Sequence, residues 1–176
     1  MKAGDRDIIT TENDDYGILR KVSSDITEDD AEVRVILKKL YDRVYQTRYD
    51  IVGPKACGIA LPQVGISKRG FVINGKYGGR KYGAVFINPV MTKHSETTNV
   101  WNEQCLSEPW VDIVVERYDS IKLRYETIDW EEKHRYFEWW IARVLQHELD
   151  HLDGILLSDK PKNNDINEKS EKSVAI

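Results

Sequence analysis

Two segments of the chain carry apolar residues at helical spacing. The first follows Thr27, a residue type that favours helix N-caps, and its acidic first turn suits the positive end of a helix dipole. Its apolar stripe consists of Val33, Ile36, Leu37, Leu40, Tyr41 and Val44. We expect this helix to end before the Gly-Pro pair at 53–54. The second helix is predicted over about 138–152, with Gly154 where a C-terminal cap is expected.

Between these helices the pattern changes to that of β-strands. Short apolar runs occur at 71–73, 84–87 and 113–115. Ile121, Leu123 and Tyr125 alternate with charged residues, which is typical of a strand with one solvent-facing side. A helix, then several strands, then a buried helix together predict an α+β domain.

Composition and charge fit one compact domain. The 176 residues are 40% hydrophobic, which is enough for a single core. The formal net charge of -4 argues against a general nucleic-acid binder, whose surface would be basic. No apolar run approaches the roughly 20 residues that cross a bilayer, and the first residues look like neither a signal nor a transit peptide. We therefore expect a cytoplasmic protein with a domain at 1–160 and a loosely held polar tail at 161–176.

The segment HELDH at 147–151 falls inside the second predicted helix. His147 and His151 are four residues apart, so both imidazoles lie on one face about 6 Å apart and can reach one metal ion. Glu148 can approach water bound to that ion, whose pKa falls towards about 7, and can act as general acid/base. An ordinary charged helix face is the alternative, but the chain has only 4 histidines. The pattern predicts a metal-dependent hydrolase.

Two histidines leave a tetrahedral metal site one protein ligand short. No histidine follows His151, and Glu168 or Glu171 would have to reach the site from the polar tail. Cys105 lies in a short turn segment after the apolar strands, and its thiolate would be a strong, soft ligand. Taken alone, Cys105 is more often a buried structural residue. Cys57 is also expected to be reduced, and spacing alone does not exclude it.

A further segment, GIALPQ at 58–63, reads as a strand followed by a turn. The missing side chain of Gly58 would let another backbone come close, and Gln63 offers a neutral amide donor to an oxyanion. Alone, this segment carries little weight. Together and in this order, GIALPQ, EQCLS at 103–107 and HELDH resemble the motifs of the peptide deformylase family. The resemblance covers roughly residues 8–160.

This resemblance implies small antiparallel sheets packed around a central C-terminal helix that carries the HExxH motif. It implies hydrolysis of the N-formyl group of N-formylmethionyl peptides as they emerge from the ribosome, with release of formate. A monomer without nucleic-acid or membrane binding is expected. The family's usual cofactor is one Fe2+ per chain, with Zn2+, Ni2+ or Co2+ as alternatives, whereas ligand softness alone points to zinc.

The resemblance also assigns roles to individual residues. The metal ligands would be Cys105, His147 and His151, and the acid/base would be Glu148. The oxyanion would be stabilised by Gln63 and the backbone N–H of Leu106. The peptide would lie as an added strand against the backbone of Gly58 and Ile59. We also assign substrate contacts to Glu103, Arg143 and Val144, although pairing with an acid is at least as good an interpretation for Arg143.

Four positions depart from the family pattern. Ala56 and Gln104 stand where glycine is usual, Leu61 replaces an alanine, and Trp139 replaces a small residue. Gln104 would strain its turn if the usual glycine needed a positive φ. No ligand is lost, so we expect activity. Two rival hypotheses are an endopeptidase with a third ligand other than Cys105, and a non-catalytic relative that binds metal or nascent peptide.

Overall fold

The computed structural model describes residues 7–50, 57–77, 79–161 and 173–175. Its helices are α1 (Ala31–Asp50) and α2 (Trp139–Leu152). Its strands are β1 (Gly58–Ala60), β2 (Gly70–Tyr77), β3 (Arg80–His94), β4 (Thr98–Cys105), β5 (Glu108–Tyr118), β6 (Ser120–Glu126), β7 (Glu132–Glu138) and β8 (Ser173–Ala175). Three short 3-10 helices occupy Ile18–Arg20, Leu61–Val64 and Leu157–Asp159.

The strands form two small sheets. One has the order β1-β2-β3-β6-β7, and all of its neighbouring strands are antiparallel. The other has the order β5-β4-β8, in which β4 and β5 are antiparallel and β8 runs parallel to β4. Helix α2 contacts strands of both sheets, namely β2 and β7 of the first and β5 of the second. The predicted α+β class with antiparallel sheets around a C-terminal helix is therefore confirmed.

The five-stranded sheet has a helix on each face because its side chains alternate. On β2, Phe71 and Ile73 pack in the core cluster that contains the α2 side chains, whereas Val72 packs in the cluster of α1. Successive strand residues point to opposite faces, so a run of apolar residues fits a strand buried on both sides. This explains why 71–73 is a continuous apolar run.

Helix α2 is largely buried. Eleven of its 14 residues are buried, and five of these are polar or charged: Arg143, Gln146, His147, Glu148 and His151. Gly154 ends the helix with φ 71°, and the N–H groups of Gly154 and Ile155 donate to the carbonyls of His151 and Asp150. This is the Schellman arrangement that glycine favours, and it confirms the predicted cap.

Several predicted boundaries differ from the structure. Helix α1 begins at Ala31 rather than after Thr27, because Thr27 to Asp30 forms a turn in which the Asp30 carboxylate accepts from the Thr27 N–H. The predicted stop at 53–54 lies outside the described residues. The tail contains strand β8, which the sequence pattern did not predict. Within the described ranges no helix is long and apolar enough to span a membrane.

Candidate metal centre

Cys105 meets the two histidines of α2 in the interior of the protein. Cys105 is the last residue of β4, while His147 and His151 lie one turn apart on α2. One ligand atom from each residue lies within 4.8 Å of the other two, and all three residues are buried. The Sγ atom of Cys105 is 3.3 Å from Nε2 of His151. The structure therefore assembles the three predicted ligands.

Cys57, the competing thiol, does not join this group. Cys57 lies beside Gly75 on β2, since a Cβ atom added to Gly75 would be only 3.4 Å from the Cβ of Cys57. Glu168 and Glu171 lie outside the described residues. Among the residues with described positions, the cluster of Cys105 and the two histidines is the group that could hold an ion.

The donor atoms fit a divalent metal ion. Nδ1 of His147 forms a hydrogen bond with Oε2 of Glu103 at 3.1 Å. Nε2 of the same ring is buried and has no hydrogen-bond partner among the described residues. A buried polar atom without a partner is costly, and a metal would satisfy it. Three protein ligands with one open position are typical of catalytic rather than structural sites.

The charge of the site favours thiolate over thiol. Burial raises the pKa of Cys105, but the neighbouring imidazoles of His151 and His147 outweigh burial and leave the pKa well below its ordinary value. The thiolate is the form that binds metals. The cluster thus presents one anionic sulfur and two ring nitrogens.

Glu148 lies against the backbone of β1 at Gly58. A Cβ atom at Gly58 would be only 2.2 Å from Oε1 of Glu148, so a glycine is required for this approach. Burial raises the pKa of Glu148 to about 7, although the two imidazoles act in the opposite direction. Its Oε2 atom is buried and has no hydrogen-bond partner in the described part of the chain. A carboxyl group with this pKa suits proton transfer near neutral pH.

Gln63 is fixed beside the cluster by its neighbours. Its Oε1 accepts from the N–H of Ala60 at 2.8 Å, and its Nε2 donates to Oγ of Ser107 at 3.2 Å. The same Nε2 lies 3.9 Å from Sγ of Cys105. The amide is therefore held with its donor side towards the site, as a group that stabilises an oxyanion must be.

Glu103 and Arg143 belong to an internal ion network, so Arg143 pairs with an acid, as one of its two interpretations predicted. Their substrate contacts stay predictions. Glu103 is fully buried and accepts from Nε and Nη2 of Arg117 at 2.7 and 2.8 Å. It also accepts from Nη1 of Arg143 at 2.6 Å and holds His147. Burial raises the pKa of Glu103, but the charge and hydrogen bonds of Arg117 outweigh it and hold the pKa well below its ordinary range.

Arg117 was not predicted from the sequence, and it links this network to α2. Its Nη1 donates to Oδ2 of Asp150 at 2.8 Å. A signal was present in the sequence, because Arg117 follows Val115 and Ile113 at strand period on β5 and continues their inward-facing side. An arginine at an inward position needs an acidic partner, and Glu103 is the buried acid across the strand pair.

The remaining predicted side chains are part of the core. Val144 is fully buried in the cluster around α2, and Ile59 is buried in the cluster of α1. Leu106 is partly buried and packs against the same α1 cluster. Any contact of Ile59 or Leu106 with substrate would therefore use the backbone. Val144 has no exposed surface with which to touch a peptide, so the structure does not support that assignment.

The structure describes three of the four positions that depart from the family pattern. Gln104 lies on β4 just before a shift in the pairing register with β5, and it has no positive φ. Its Nε2 donates to Oδ2 of Asp112 at 3.0 Å. Leu61 is fully buried in the α1 cluster. Trp139 has φ 62°, a conformation that favours glycine, at the start of α2. Ala56 lies outside the described residues.

An α+β domain with a thiolate, two imidazoles and a buried glutamate at one point is typical of the metal-dependent hydrolases. The sequence profile described as polypeptide deformylase matches residues 6–167. The chain therefore belongs to the peptide deformylase family, as its motifs indicated, and it is an enzyme of that family.

Relatives and solved structures agree with this assignment. Peptide deformylase of Thermotoga neapolitana is 37% identical over 145 residues, which are 82% of each chain. That of Rhizobium meliloti is 38% identical over 143 residues, 81% of this chain and 78% of the relative. The crystal structure of a probable peptide deformylase from Synechococcus phage S-SSM7 superposes with a TM-score of 0.71 at 34% identity, covering 88% of this chain and 98% of the other. The crystal structure of peptide deformylase from Thermotoga maritima superposes with a TM-score of 0.70 at 33% identity, covering 87% of this chain and 95% of the other.

Proposed function

We propose that this enzyme hydrolyses the N-formyl group of N-formylmethionyl peptides at the cluster of Cys105, His147 and His151. The observation that carries the proposal is the convergence of these three buried donors beside the carboxyl of Glu148. The family membership supports the same reaction. Water and the formamide are consumed, and formate and a free amino terminus are produced.

The three donors would hold one divalent ion, which we propose to be Fe2+, with Zn2+, Ni2+ or Co2+ as alternatives. When bound, such an ion supplies Lewis-acid activation of water and of the formyl carbonyl. Glu148 accepts the proton of the attacking water and later delivers it to the leaving nitrogen of methionine. Its pKa of about 7 makes both transfers accessible near neutral pH.

The peptide binds as an added strand on the free edge of β1. In the described sheet β1 is the first strand and pairs only with β2, so the other side of Gly58 and Ile59 has unpaired backbone groups. A formyl carbon that reaches Glu148 from this edge lies near Nε2 of Gln63. That amide and the N–H of Leu106 donate hydrogen bonds to the oxyanion that develops at the formyl oxygen.

We propose that the physiological substrate is the nascent chain as it leaves the ribosome in the cytoplasm, and that the enzyme acts as a monomer. Only the formyl-methionyl end must enter the site, because the remaining peptide lies along the edge of β1. Neither nucleic acid nor membrane contact is required by this arrangement.

Formate release from a formyl-Met-Ala-Ser peptide tests the proposal. The protein is purified anaerobically and loaded with Fe2+, and wild type is compared with Glu148→Gln and with the exposed control Glu116→Gln. We expect Glu148→Gln to lose about 10²–10⁴-fold in kcat while it keeps its metal, and the control to match wild type. Full activity of Glu148→Gln would remove its proposed role. Absence of formate with every metal, or cleavage of internal peptide bonds instead, would overturn the proposed function.

A further inference from the structure

A second cavity lies away from the metal centre. It has a volume of about 680 Å³ and lies between the first turns of α1 and the strands β3, β6 and β7. None of the described residues that line it belongs to β4 or α2, the two elements that carry the metal ligands. Its apolar and aromatic walls include Val35, Tyr41, Tyr82, Val85 and Tyr125. The size and the apolar walls are those of a site for a small organic molecule.

The charged residues around the cavity are mostly cationic. They are Arg34, Lys38, Lys133 and Arg135, against one carboxylate, Asp129. Four positive charges and one negative charge leave an excess of three positive charges, in a chain whose formal net charge is -4. A concentration of one sign in a partly enclosed space attracts ligands of the opposite sign.

Two of these cations are bound to oxygen atoms of described residues, and two have no described anionic partner. Nε of Arg34 donates to the carbonyl of Ile128 at 3.0 Å, and Lys133 pairs with Glu131 at 2.7 Å. No described carboxylate forms an ion pair with Lys38 or Arg135. Arg135 instead lies over the ring of Tyr82, with its guanidinium carbon 5.9 Å from the ring centre.

Tyr82 lines the same cavity and carries a hydroxyl group, which is a neutral donor. The hydroxyl is buried beside Tyr125, and no hydrogen bond of regular geometry to a described residue satisfies it. Burial raises the pKa of Tyr82 above its ordinary value, so the hydroxyl keeps its proton at physiological pH. A buried hydroxyl without a partner is unusual, and a ligand oxygen would satisfy it.

We propose that this cavity binds a small organic anion that has an aromatic or branched apolar body and one acidic group. The tyrosine rings and the two valines contact the body. Lys38 and Arg135 bind the acidic group, and the Tyr82 hydroxyl donates to it. The acidic group is a carboxylate or a phosphate, which offer the same charge and acceptor oxygens. This site is independent of the deformylation proposed above.

Titration calorimetry on the full chain tests the proposal with three matched probes: naphthalene-2-carboxylate, 2-naphthyl phosphate and the neutral naphthalene-2-carboxamide. We expect at least one anion to bind about tenfold more tightly than the carboxamide, because a charge-assisted hydrogen bond is worth about that factor. The tighter of the two anions identifies the acidic group. Arg135→Gln and Lys38→Gln should each weaken its binding roughly tenfold.

Three variants locate the binding. Val35→Trp fills the mouth of the cavity and should abolish binding, whereas Tyr82→Phe removes only the hydroxyl and should weaken it. Arg124→Gln removes an equal charge from β6 outside the cavity and should bind like wild type. Tyr82→Phe keeps the test decisive if Val35→Trp does not fold. Equal binding of the carboxamide, no binding of either anion, or unchanged binding by Arg135→Gln and Lys38→Gln would overturn the proposal.

Discussion

Replacing Glu103 by glutamine is the sharpest test of the ion network behind the metal centre. Glutamine has almost the same shape but lacks the charge, and one of its two terminal groups is a donor. The Glu103 carboxylate accepts four hydrogen bonds, two from Arg117, one from Arg143 and one from His147. Whichever way the amide turns, its NH2 group faces donors, and two guanidinium groups lose their main counter-charge.

The structure sets the expected size of this effect. Glu103 is 0% exposed, so solvent cannot replace the lost interactions. Breaking a buried ion pair by removing one partner costs about 3–5 kcal/mol of unfolding free energy. For a chain of this length, that loss corresponds to a melting temperature lower by about 6–20 °C. Because Glu103 also orients His147, metal affinity should fall about 10- to 100-fold.

Two measurements check this prediction. Urea unfolding of wild type and Glu103→Gln gives the change in free energy, and competition with a chelator gives the change in metal affinity. Glu131→Gln, which removes the exposed partner of Lys133, is the control and should change neither quantity measurably. A loss of stability below about 1 kcal/mol, with metal affinity within twofold of wild type, would refute the reasoning.

The difference in unfolding free energy between wild type and Glu103→Gln should depend on pH. The pKa of Glu103 is depressed in the folded protein, so its contribution is complete above its unfolded pKa of roughly 4.3. That contribution is lost as the pH falls below this value and approaches the folded pKa. The difference in unfolding free energy between wild type and Glu103→Gln should therefore shrink below about pH 4, which urea titrations at pH 3, 5 and 7 would measure.

Three further substitutions test other parts of the structure. Gly58→Ala places a Cβ 2.2 Å from Oε1 of Glu148, so kcat should fall about 100-fold while the metal content by absorption spectrometry is unchanged. Gln63→Leu removes a donor near the formyl oxygen and should lower kcat by about 10²–10³, with little change in KM, in the formate assay. Gly154→Ala forces a side chain to φ 71° and 2.6 Å from the Arg20 carbonyl, so it should cost at least about 1–2 kcal/mol in thermal unfolding without changing the metal affinity.

The local sequence pattern was sufficient for the parts of the site that lie within one element. Helical spacing alone put His147 and His151 on one face of α2, because positions four apart are neighbours on any helix. The glycine at 154 likewise indicated the end of α2 through its freedom to adopt positive φ. Strand alternation at Ile121, Leu123 and Tyr125 indicated β6, which the structure confirms.

Contacts between distant elements were beyond any local pattern. Spacing favoured Cys105 but did not exclude Cys57, and only the tertiary structure brings the Cys105 thiol to the two imidazoles. The ion partners of Glu103 were not predicted for the same reason, since they come from β5 and α2. A charged residue in a motif looks the same in sequence whether it contacts substrate or another buried charge.

The sequence by itself therefore determined the helix with its two imidazoles, the acid beside them, the α+β class and, through three motifs, the family. Only the tertiary structure decided that Cys105 completes the cluster, that Glu103, itself bound by Arg117, holds His147, and that Gly58 makes room for Glu148. The physical reason is that periodicity fixes which side chains share a face of one element. Register and packing between elements decide which faces meet.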